Sequence, residues 1–170
     1  MIAGKIAFIL LFIFSFAILF TNMNLTSVSA KTVRLNTWDS VDNGKHLDWD
    51  GKSNYMPQFT DAITTWNKYK SGIIRKDTIL IVEDVKISDY YEKSNVAAIS
   101  SSNGKIKFNQ YIMDSCTNAE NQNICTAMIG YQLGLGSSDY YFDVMYACIN
   151  SVISLSESDK ASFDAAYKKY

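Results

Sequence analysis

Apolar and polar positions change rhythm several times along this chain, and each rhythm predicts an element. An apolar run, Ile6 to Phe20, follows the single charge Lys5 and gives way to polar residues ending in Val28-Ser29-Ala30. That is the layout of a secretory signal peptide with a small-residue cleavage site. The run is also shorter than the ~20 residues a bilayer span needs. Residues 1–30 are therefore expected to be removed and residues 31–170 to form one exported domain. Val33 to Trp49 is irregular, with turns at Asp42-Asn43-Gly44 and Asp50-Gly51 and room for short strands. Asn54 to Lys70 reads as a helix: Phe59, Ile63, Trp66 and Tyr69 recur at helical spacing, and Pro57 is tolerated in the first turn. Thr78 to Val85 is β-branched and apolar enough for a central strand. Val96 to Ser100 and Lys105 to Asn109 read as strands around a Ser102-Asn103-Gly104 turn. Asn118 to Leu133 is a second helix, ended by Gly134. Ser156 to Lys169 is a third, with Ser156 and Asp159 suited to capping and Phe163, Ala166 and Tyr167 on its apolar face.

Composition narrows the picture. The leader takes one of the 16 basic residues and none of the 17 acidic ones, so the remainder is slightly acidic. No Lys/Arg cluster runs along the sequence, which argues against nucleic acid or an anionic membrane as a partner. With Pro57 the only proline and no repeat, no linker divides the domain. The order of elements gives an α+β class.

The stretch Thr126 to Ser137 (TAMIGYQLGLGS) carries the most information. It has the frame of the zinc-protease motif H-E-x-x-H-x-x-G-x-x-H, in which an i, i+4 histidine pair on one helix face holds the metal beside a glutamate base. Ala127, Tyr131 and Ser137 stand at the three ligand positions and Met128 at the glutamate position. Other landmarks follow in order: Ala62-Ile63-Thr64-Thr65-Trp66-Asn67, Gly104 to Asn109, the glycine-leucine frame Gly130 to Gly136, Asp143-Val144-Met145-Tyr146, and Leu155 to Asp159 followed by Ala165-Ala166-Tyr167. Together they make the chain, from about Trp49 to Tyr170, resemble the matrixin-like branch of the metzincin zinc endopeptidases, particularly small secreted bacterial members.

The resemblance implies a twisted mixed five-stranded sheet with three helices. Gly130, Gly134 and Met145 would hold the site geometry, Met145 in a tight turn beneath it. A cleft would run along an edge strand containing Val96, Ala97, Ala98 and Ile99. The family uses zinc, but the residues here supply no such site, so no cofactor is expected. His46 is the only histidine and lies in the early irregular segment. Asp139 and Asp143 follow the degenerate motif and could hold calcium, although acidic loop residues are more often solvated. Cys116, Cys125 and Cys148 lack C-x-x-C spacing, and in an exported chain they favour a disulfide. Cys116 with Cys125 is the expected pair and Cys125 with Cys148 the rival.

The resulting expectation is a secreted, catalytically inactive matrixin-like pseudoprotease. It would bind a peptide or protein in the retained cleft, with no nucleic acid and no stable membrane insertion after leader removal. The alternatives are a zinc metalloendopeptidase with unconventional ligands and a drifting product with no selected role. The sequence names no partner and sets no oligomeric state.

Overall fold

A computed structural model describes residues 31–78 and 82–170. The leader, residues 1–30, lies outside the described residues. Five strands form one mixed sheet: β1 (Leu47–Gly51), β2 (Ile74–Lys76), β3 (Val85–Tyr90), β4 (Ala98–Ser101) and β5 (Lys105–Asn109), in the order β2-β1-β3-β5-β4. The β2, β1, β3 and β5 pairings are parallel, and β4 alone runs antiparallel, on the outer edge beside β5. Four helices accompany the sheet: α1 (Met56–Tyr69), the short α2 (Gln110–Met113), α3 (Asn118–Gln132) and α4 (Glu157–Tyr167).

The α+β class and the five-stranded mixed sheet agree with expectation, while the helix count rises by one. Helix α2 is a single turn, too short to show a period, and starts where the Asn109 side chain accepts a hydrogen bond from the Tyr111 N–H. The three longer helices fall within their expected spans, with Pro57 in the first turn of α1 and the Ser156/Asp159 capping box at α4.

The strand expected over Thr78 to Val85 needs correction. β3 only begins at Val85, and Val82 is 83 % exposed; residues 79–81 lie outside the described ones. The true strand alternates, with Val85 and Ile87 buried and Lys86 exposed. The Asp50-Gly51 turn also shifts, because both residues belong to β1. There Gly51 has φ +120°, and a Cβ would sit 2.2 Å from the Ile87 carbonyl oxygen. The hairpin turn stands as expected: Gly104 has φ +70° and its N–H donates to Ser101 O.

One face of the sheet carries Leu47, Trp49, Val85, Ile87, Ile106 and Phe108 into the core. Phe59 of α1 meets Trp49 and Phe108 edge-on, at centroid distances of 5.1 and 6.1 Å. Burying a side chain such as Phe59 contributes roughly 1.5–3 kcal/mol. Trp66 joins α1 to α3: it is fully buried, and its indole N–H donates to Thr126 O at 3.0 Å. Among the described residues no helix is long and apolar enough to cross a membrane.

Candidate functional site

Helix α3 is set at both ends. At its start Thr117 and Glu120 form a capping box, and the bonds donated by the Thr117 backbone N–H and hydroxyl keep the Glu120 carboxyl below its usual range. At its end the Gly134 N–H donates to Tyr131 O and the Leu135 N–H to Gly130 O. With Gly134 at φ +81° this is a Schellman stop, which an L side chain would strain. The expected helix-ending role of Gly134 therefore holds.

The chain then runs on through Leu135, which bridges to Leu35, and brings Ser137 back to the helix. There the Tyr131 hydroxyl and Ser137 Oγ lie 2.8 Å apart. Ala127 is one turn earlier on the same face as Tyr131, and Ala127, Met128 and Tyr131 together line a cleft of about 800 Å³. The opposite wall comes from residues 95–100 and the end from residues 146–149. β4 starts at Ala98, so Val96 and Ala97 flank it without belonging to the strand. Their carbonyls are occupied by Asn109: its side-chain amide donates to Val96 O and its backbone N–H to Ala97 O, each at 2.8 Å. Only Ala98 and Ile99 of the four expected edge residues lie in the strand. All four line the cleft.

Among the described residues, the cleft lining contains no Asp, Glu, Lys, Arg or His. Its polar groups are amides, hydroxyls, the Trp38 indole N–H and the Cys148 thiol, and Val96, Ile99 and Ile149 are exposed aliphatic side chains lining it. Sequence reasoning did not anticipate this neutrality, because the lining comes from four distant segments, Asn36 and Trp38 among them.

Beneath α3 lies the turn Asp143 to Tyr146, closed by the Tyr146 N–H donating to Asp143 O. Met145 is buried against Gly130, where an added Cβ would stand 2.4 Å from the Met145 sulfur. The turn is tied to α4 by Asp159. Its buried carboxylate accepts from the Val144, Met145 and Ser156 N–H groups at 2.9, 3.2 and 2.9 Å. Burial pushes this carboxyl up, against the downward pull of those bonds.

These residues do not fit a zinc ion bound as in the protease motif. Ala127 and Met128 bring no imidazole or carboxylate, and the Tyr131 and Ser137 hydroxyls satisfy each other. His46 lies before β1, with Nδ1 3.8 Å from Asp42. The calcium idea fares no better: Asp143 is bonded to Ser138 Oγ, and Asp139 is paired with Arg34. An acidic cluster the sequence did not suggest, Asp42, Asp48 and Asp84, has ligand atoms within 4.8 Å of one another. Arg75 already pairs with two of the three, with bonds of 2.8 and 2.7 Å to Asp48 and a 3.5 Å contact to Asp42. Burial raises the Asp84 carboxyl within this group.

The expected Cys116–Cys125 disulfide is absent, as is its rival, and all three cysteines are free. Thr117 caps α3, so Cys125 sits eight residues further along the helix, roughly 12 Å at 1.5 Å per residue. A disulfide allows Cα atoms at most about 7 Å apart. Cys125 is buried, with its thiol pushed up by desolvation, whereas Cys148 is exposed.

No protein-family model matches this chain, and no curated protein matches it either.

Proposed function

We propose that the chain is a matrixin-like pseudoprotease whose cleft holds an extended, uncharged peptide segment of a protein ligand without hydrolysing it. The carrying observation is the charge-free cleft of about 800 Å³, walled on one side by an edge strand and on the other by Ala127, Met128 and Tyr131. An edge strand pairs on one side only, so its outer backbone groups can add a visiting strand. β4 itself has no charged residue to discourage that. A charged side chain entering this cleft would lose hydration and meet no counter-charge, which disfavours it by several kcal/mol. Support for the family likeness comes from the Gly130–Met145 contact, the Gly134 helix stop and the Asp159 tie to the turn. The missing zinc ligands support binding without hydrolysis.

Selection from a random dodecapeptide library, followed by amide exchange of the complex, tests the reading. The expected result is enrichment of uncharged, strand-forming sequences that protect Ala98 to Ser101. Enriched peptides that leave this segment exchanging freely would sink it.

A further inference from the structure

The solvent face of the sheet carries a second feature, unrelated to the cleft. In the β3–β5 pairing Lys86 stands directly opposite Lys105, and Ser88 opposite Lys107. Ser101 of β4 completes the first row beside Lys105. Paired residues share a face, and residues two apart on a strand do too, so all three lysines point to solvent, where each is exposed. Their roots are about 4.8 Å apart across the strands and about 6.8 Å apart along β5.

Like charges directly opposite each other destabilise a sheet, and the chain offsets that cost only on the Lys86 side of the row. Lys86 lies near two carboxylates: Glu83 at 3.9 Å, and Asp50 opposite it on β1, which Lys76 also contacts at 3.4 Å. Lys105 and Lys107 form no ion pair among the described residues. The other half of the same face differs: Asp48 is matched by Arg75 and Asp50 by Lys76. Protection of a sheet edge does not explain the lysines either. Edge lysines belong on the outermost strand, and β4 has none.

We propose that this face is a landing surface for a linear phosphate-bearing polymer. Three ammonium groups carried on two neighbouring strands can follow successive charges along a chain. Lysine suits phosphate as a point charge, whereas carboxylate recognition favours the bidentate arginine fork, which is missing here. The Ser88 hydroxyl, beside Lys107, is a further polar group on this face, whereas the Ser101 hydroxyl is bonded to Asn103 within the hairpin. The lysine rows themselves hold no aromatic ring, and Tyr90, two residues beyond Ser88 on the same face, has its hydroxyl buried, so the charge of the polymer is what the surface reads.

Short-chain inorganic polyphosphate is the probe. The purified protein should bind it at low salt and release it as salt rises, with a dependence of about two to three charges. Lys105→Thr with Lys107→Thr should weaken binding about tenfold or more, while Lys105→Arg with Lys107→Arg retains it. Lys168→Thr with Lys169→Thr, at the end of α4, should leave it unchanged. No binding by the wild type at low salt overturns the proposal, as does an equal loss in the α4 variant. Binding to phosphatidylglycerol vesicles but not to polyphosphate would make the face a membrane contact and overturn it too.

Discussion

At the scale of single residues, the positions that would carry protease chemistry are instead satisfied by one another. Tyr131 and Ser137 close a hydrogen bond, Ala127 offers only a methyl group, and Gly130 leaves the space that Met145 fills. Gly130 gives the sharpest test. Its missing Cβ is occupied by the sulfur of a buried methionine, with the ring of Trp66 3.2 Å away. Gly130→Ala gains helix propensity but overpacks that contact, and overpacking costs about 1–3 kcal/mol. Denaturant titration should show a net loss of stability. A more stable variant would mean that Met145 moves aside freely, and the contact would then hold nothing in place.

At the scale of elements, α4 and the turn beneath α3 behave as one piece because of Asp159. Asp159→Ala leaves three backbone N–H groups without their acceptor and should cost about 2–4 kcal/mol. Asp159→Asn keeps a carbonyl acceptor and should cost less. Urea melts of the two variants check the order, and equal losses would contradict a role for the three hydrogen bonds. The three longer helices and the β4–β5 hairpin were legible in the sequence because their signals are local: a 3.6-residue period, a capping pair, a glycine at a turn. β3 was missed because the richer apolar run before it outweighed the plain alternation of Val85, Lys86, Ile87 and Ser88. The first two residues of the expected edge strand fell outside it because Asn109 draws the chain away. The cleft-facing wall of α3 was legible as positions in a motif, but the neutrality of the cleft was not. Nor was the lysine row, since Lys86 and Lys105 become neighbours only through the strand order.

At the scale of the whole molecule, the proposed reading makes a chemical prediction. A catalytic zinc needs three protein ligands and an open position, and the only histidine of the chain lies before β1. Elemental analysis of the purified wild type should find no stoichiometric zinc, and casein should survive incubation with it. One zinc per chain with chelator-sensitive proteolysis would overturn the pseudoprotease reading. Ala127→His, Met128→Glu, Tyr131→His and Ser137→His combined should restore tight zinc binding, with activity lagging binding wherever the new ligands have no groups to orient them. A folded quadruple variant indifferent to zinc would place the fault in the alignment with the motif. The strand order has a further consequence, for the time course of folding. Only β4 and β5 are joined by a tight turn, and each parallel pairing must wait for a longer stretch of chain to close. The hairpin is therefore expected to form first and the parallel pairs last, which is the slow regime of non-local contacts. For that interval a newly made chain displays its charge-free edge before the helices that form the cleft have docked. Pulsed amide exchange during refolding should find Ala98 to Asn109 protected ahead of Leu47 to Gly51, and the reverse order would rule this sequence of events out.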